Sequence, residues 1–129
     1  AIKGPTATHL ASGRSLPIIE DLAATGTQAV CPSVAEDLAA VKAACAGRLS
    51  ILGNLNGIEM RRWTSETAEN RVREAIARAG PGGGFILADN HGEIPFQVPD
   101  EVLFAISEAV HARGGYPLKD SPLEKGDAL

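Results

Sequence analysis

Aromatic residues are scarce in this chain: one Trp, one Tyr and three Phe, 4% of the whole. Its core must therefore rest on Ala, Val, Ile and Leu. Cysteine is nearly absent, with only Cys31 and Cys45, and no signal peptide precedes them, so a disulfide framework is excluded. Cys45 lies among alanines on a helical face and reads as core. No apolar run approaches the ~20 residues needed to span a bilayer. Clustered Lys and Arg are missing too. The net charge is −4, which argues against a general nucleic-acid surface, and the pair Arg61-Arg62 reads as a solvated helix end. The chain opens Ala1-Ile2-Lys3-Gly4 with no initiator Met, and strand-like residues follow almost at once, so a fragment or processed chain is expected. What remains is ordinary: 129 residues, 44% hydrophobic and 22% charged, the make-up of one soluble globular domain. A cytoplasmic protein is the default expectation.

Four times over, a short β-like run leads through a polar corner into an amphipathic helix. The first run is Pro5 to Leu10, closed by Ala11-Ser12-Gly13. Ser15 is expected to cap the helix that follows, with Pro17 tolerated in its first turn. Ile18, Ile19 and Leu22 share the inward face, and Gly26 suits the left-handed end. The second run, Thr27 to Cys31, stops at Pro32. Ser33 and Glu36 then have capping-box spacing, and Leu38, Val41 and Cys45 mark a buried stripe ending at Gly47. Leu49 to Leu52 is the third run, stopping at Gly53-Asn54-Leu55-Asn56. A short turn carries Ile58, Met60 and Trp63, and Thr64 or Ser65 caps a helix with Val72, Ala75, Ile76 and Ala79 inward. Pro81-Gly82-Gly83-Gly84 is a tight connection to the fourth run, Phe85 to Ala88. The loop Asp89-Asn90-His91-Gly92-Glu93 leads to a last helix opened by Pro99 and Asp100, with Val102, Leu103, Ile106 and Val110 inward. A polar tail from Lys119 to Leu129 is expected to fray.

Short, continuously apolar runs alternating with helices indicate parallel strands buried on both faces. Two architectures satisfy that pattern: a small doubly wound sheet, or half of a closed barrel. In either, ligands lie at the C-terminal strand ends, which carry His9, Cys31, Asn54 and the group Asp89-Asn90-His91. Each has a bland reading beside the functional one. His9 can be a satisfied strand-end histidine or a ligand. Cys31 has nothing basic adjoining it and reads first as an inert thiol. Asp89 can simply accept local backbone N–H groups. His91, in a Gly-flanked loop directly after a buried strand, stands where barrels place catalytic groups. His111 reads as solvated. Gly82-Gly83-Gly84 precedes a strand and does not open a helix, so it is a turn and not a phosphate loop.

Several of these segments resemble the uroporphyrinogen decarboxylase-like superfamily. Gly53-Asn54-Leu55 after the third strand resembles its Gly-Asn-Leu signature. Phe85-Ile86-Leu87 leading to His91-Gly92, then Ile94-Pro95 and Pro99-Asp100-Glu101-Val102, resembles a second block, and Asp37-Leu38-Ala39 a third. The resemblance implies the C-terminal half of a TIM-type (β/α)8 barrel of the α/β class, four parallel βα units over residues 1–118, with 119–129 as a tail. It implies an enzyme of one of two branches. One passes methyl groups to or from a corrinoid carried by a partner protein, often with zinc activating a thiol; the other decarboxylates uroporphyrinogen without a cofactor. A non-catalytic binding or assembly module is the third alternative. On the methyltransferase reading, which is preferred, His91, Asn54 and Asp89 are the catalytic candidates and His9, His91 and Cys31 the metal ligands. His9 falls where that branch begins a His-x-Cys zinc motif, although Ala11 stands where its Cys is expected. The Gly-Asn-Leu-Asp-Pro signature of the decarboxylases becomes Gly53-Asn54-Leu55-Asn56-Gly57 here. Expected partners are a small-molecule substrate, a corrinoid protein, and a missing N-terminal half or a second copy, with neither nucleic acid nor membrane.

Overall fold

A computed structural model describes residues 3–10 and 13–118. The chain alternates strand and helix throughout. Strands β1 (Ala7–His9), β2 (Ala29–Cys31), β3 (Ser50–Leu55) and β4 (Phe85–Asp89) alternate with helices α1 (Ile19–Ala24), α2 (Leu38–Cys45), α3 (Ser65–Ala79) and α4 (Asp100–Arg113). The strands form one sheet in the order β1-β2-β3-β4, and each neighbouring pair is parallel. The sequential order rules out a doubly wound sheet, in which the strand order reverses. Four parallel strands with alternating helices are half of a TIM-type barrel. The expected polar tail and Ala11 lie outside the described residues.

Local chemistry explains most element ends. Asp37 caps α2, its carboxylate accepting from the N–H groups of Ala39 and Ala40, and Thr64 caps α3 by accepting from Thr67 N–H. Gly26 has φ +85°, as a left-handed residue after α1 should. Gly82, Gly83 and Gly84 are all left-handed, and the Lys42 ammonium donates to the Gly83 carbonyl. The glycine run is a turn held from α2.

Four expectations need correction. Ser15 does not cap its helix; the first turn is a 3-10 segment, Leu16–Ile18, and the Ser15 hydroxyl donates elsewhere. Ile18 is therefore 38% exposed, while Ile19 and Leu22 are buried. Ser33 and Glu36 do exchange hydrogen bonds, Glu36 accepting from Ser33 N–H, but they close a turn and not a helix. Finally, β3 continues through Gly53-Asn54-Leu55, because β4 supplies partners as far as Asp89. The expected stop at Gly53 underestimated how far a neighbouring strand can extend pairing through a glycine.

The helices cover one face of the sheet. Val30 and Ile51 pack with Ile19, Leu38, Val41 and Cys45 in one cluster, and Leu55 packs with Met60, Val72 and Val102 in a second. Leu87 touches both. Alternation along the strands then puts Leu52 and Ile86, which are register partners, on the opposite face. No helix among the described residues covers that face, and Ile86 is 56% exposed. These assignments predict that Ile51→Ala, at a fully buried position, lowers unfolding stability by about 2–5 kcal/mol. Ile58→Ala, at a half-exposed one, changes it by no more than about 0.5 kcal/mol. Urea unfolding of the two variants checks this, and equal losses would contradict the packing described.

Candidate active site

Parallel strands bring their C-terminal ends to one rim. His9 ends β1 and is exposed; Cys31 ends β2, is buried, and is its register partner. Val30 faces the helices, so alternation places His9 and Cys31 together on the uncovered face. Burial pushes the Cys31 thiol up, which keeps it protonated and a poor nucleophile as it stands. At the far edge, Asp89 ends β4 and its carboxylate accepts from His91 N–H at 2.8 Å. That is the local capping role open to any loop Asp. The His91 side chain is exposed. Gly57, in the turn after β3, approaches this pair closely: a Cβ there would lie 3.0 Å from Asp89 Oδ2 and 3.5 Å from His91 Nδ1. A Cβ there would press on Asp89 Oδ2, which would have to give by a few tenths of an ångström, while meeting His91 at an ordinary contact distance.

Asn54 stands at the same rim, but its amide nitrogen is occupied. It donates to the carbonyls of Ser33 at 2.9 Å and Glu36 at 3.2 Å. Asn90, which reads in sequence as one more polar loop residue, is buried; it donates to the Pro32 carbonyl at 2.7 Å and to Leu55 O through its backbone. Two asparagines from neighbouring units thus hold the loop between β2 and α2.

The group that sequence reasoning missed is Glu36. Only 6% exposed, it accepts from the Ser15 hydroxyl at 2.9 Å, Leu16 N–H at 2.8 Å and Ser33 N–H at 3.0 Å. Burial pushes its carboxyl up, but the donors of Leu16, Ser15 and Ser33 together outweigh that and hold it below the usual range. The carboxylate is a cross-link between the first and second βα loops. Its only sequence signal was the three-residue spacing from Ser33, which also fits a helix cap. Among the described residues no buried side-chain nitrogen or oxygen lacks a partner.

A cleft of about 410 Å3 opens behind this rim, between the loop after β2, the turn after β3 and α3. Glu36, Asn54, Trp63, Arg71 and Arg78 line it, whereas His9 and His91 do not. Its charges are largely matched internally, since Arg78 pairs with both Asp37 and Glu74. Size alone does not make it the reactive site. His9, on the uncovered face, and His91, in the loop after β4, stand instead at the strand ends, where barrels carry their sites.

The family model of uroporphyrinogen decarboxylase (URO-D) matches residues 2–113, nearly the whole described chain. This chain belongs to the URO-D family. No curated protein matches it. Its four parallel βα units are half of a TIM-type barrel, a fold that carries its sites at the C-terminal strand ends. Among its described residues, no group of three or more His, Cys, Asp or Glu is gathered so that it could hold a metal ion. His9, Cys31 and His91 do not form a ready three-ligand set within one chain: the first two are neighbours, and the third stands at the other edge. No described helix is long and apolar enough to cross a membrane.

Glu36 generates a prediction about pH. Its folded pKa lies below the ordinary value, so its contribution is fully present above about pH 4.3, the unfolded value. It is lost as pH falls through the folded value. Glu36→Gln should cost about 1–3 kcal/mol at neutral pH, and should flatten the fall in stability on the acid side. Urea midpoints of both proteins between neutral pH and pH 3 test this; parallel pH profiles would exclude Glu36 as the responsible group.

Proposed function

We propose that this chain supplies half of the catalytic mouth of a URO-D-superfamily enzyme, and that its reaction is methyl transfer to or from a corrinoid carried by a partner protein. The observation that carries this reading is the pairing of His9 with Cys31, an imidazole beside a thiol on the uncovered face at the strand ends. An imidazole can take the proton of a substrate thiol as it becomes a nucleophile, or return one to the product. His91 offers a second such group across the mouth, and Asp89 orients its backbone. Asn54 acts through position: by holding the loop between β2 and α2 it sets the height of the rim, with its amide oxygen left to meet substrate. Zinc accepts imidazole, thiolate and carboxylate ligands, about three of them with one open position in a catalytic site. The described residues do not gather that many, so they do not fit the ion by themselves, and the proton-handling roles above need no metal.

Decarboxylation of uroporphyrinogen is the second reading, and one observation favours it. A substrate with many carboxylates calls for several guanidinium groups. Arg14 follows β1, and the 3-10 turn Glu59–Arg62 places Arg61 and Arg62 directly after β3. All three are exposed.

The two reactions separate cleanly in solution. Supplied with a methylated corrinoid and a thiol, the protein should demethylate the corrinoid, a change visible in its absorption spectrum. His9→Ala should slow this by about 100-fold, the usual scale for loss of a general base. Supplied with uroporphyrinogen, it should release no carbon dioxide. Carbon dioxide release that falls in an Arg61→Ala, Arg62→Ala variant, with no demethylation, would transfer the assignment to the decarboxylase branch.

A further inference from the structure

The cleft between the loop after β2, the turn after β3 and α3 has no part in the roles given to the histidines. Its walls come from residues 34–78 alone, within the two middle units of the sheet. At about 410 Å3 it falls in the size class of small-molecule pockets, roughly 300–1,000 Å3. Charge is unevenly matched on those walls. Four carboxylates, from Glu36, Asp37, Glu59 and Glu74, line it against two guanidiniums, from Arg71 and Arg78. Both guanidiniums are engaged: Arg78 pairs with Asp37 and Glu74, and Arg71 with Glu74 at 3.6 Å. The Glu36 carboxylate is met by neutral donors, the Ser15 hydroxyl and the N–H groups of Leu16 and Ser33. That leaves the exposed Glu59 carboxylate with neither a cation nor a donor among the described residues.

An independent feature of the same cleft is aromatic. Trp63, the one tryptophan of the chain, lines it too. This residue closes the 3-10 turn that carries Glu59, its backbone N–H donating to the Met60 carbonyl at 3.1 Å. A single turn therefore presents both the ring and the unmatched carboxylate. Trp63 packs against the second core cluster, yet it is only half-buried, and its indole N–H has no partner among the described residues. Buried tryptophans ordinarily find one. An indole face attracts a cation through the ring quadrupole, and a nearby carboxylate adds Coulomb attraction. An anion would meet the excess of carboxylates, and would have to draw Arg71 or Arg78 out of pairs already made. We propose that this cleft binds a small organic cation, an alkylammonium held by Trp63 and Glu59 with its stem on the apolar lining of Leu38, Leu55 and Ala75. The back wall of the site is the hydrogen-bonded frame, since Glu36 and Asn54 line the cleft as well as holding the loop between β2 and α2. An occupant braces that loop. Binding here does not depend on the reaction proposed above.

Because Trp63 is the only tryptophan, the indole emission of the whole protein reads the cleft directly. Titration with n-butylammonium chloride should change that emission saturably, in the millimolar range that suits so small a probe. Sodium pentanoate, with the same butyl stem and the opposite charge, should give no saturable change. Sodium chloride at matched ionic strength should give none either. Glu59→Gln, at an exposed position, should weaken butylammonium binding by about fivefold while leaving the circular dichroism intact. Saturating butylammonium should also raise the urea midpoint of the unmodified chain. Pentanoate binding as tightly as butylammonium overturns the inference, and so does a response to butylammonium that never saturates. Equal butylammonium affinity in Glu59→Gln places the cation elsewhere on the molecule and overturns it as well.

Discussion

One buried carboxylate organises the working end of this molecule. Glu36 draws three donors from two different βα loops into a single site, and the carbonyls on either side of its turn receive the amides of Asn54 and Asn90 from the next two units. A carboxylate this far from water is stable only when its oxygens are met by donors. Once they are, every loop that supplies a donor is held in position. The rim on which His9, Cys31, Asn54 and His91 stand is therefore a connected hydrogen-bonded frame and not four independent loops. That frame is of polar origin, and it overlies a core that is almost entirely aliphatic.

The core and the frame do different work. Val30, Val41, Ile51, Val72 and Val102 are fully buried and fix which face of the sheet the helices cover. That choice leaves the opposite face to His9 and Cys31 at the ends of β1 and β2. The constraint of four parallel strands then acts outward. A sheet of this kind has two unlike edges and an unpacked inner surface, and every one of those features calls for more strands. His9 and His91, at the two edges, are remote from one another within the described sheet.

Much of this was legible in the residues. The apolar runs located all four strands, and the 3.6-residue spacing of Leu38, Val41 and Cys45, or of Val72, Ala75 and Ala79, located helices and their buried faces. Blocks such as Gly53-Asn54-Leu55 and His91-Gly92 carried the family. The reading failed where a residue had a local use and a distant one. Ser15, Ser33 and Glu36 have the spacing of helix caps, and the spacing could not show that Glu36 would find donors in another loop. Asn54 and Asn90 looked like substrate groups or plain loop polarity, because the carbonyls they hold lie more than fifteen residues away in sequence.

By itself, then, the sequence determined the element order, the parallel sheet class and the family, since each depends on periodicity or on short contiguous blocks that need no knowledge of what lies across space. Tertiary structure alone decided that β3 runs through Asn54, that His9 neighbours Cys31 while His91 stands at the opposite edge, and that Glu36 is a cross-link and not a cap. Those outcomes depend on strand register and on hydrogen bonds closing between loops, and a side chain's partner across a sheet is set by the packing of the whole unit.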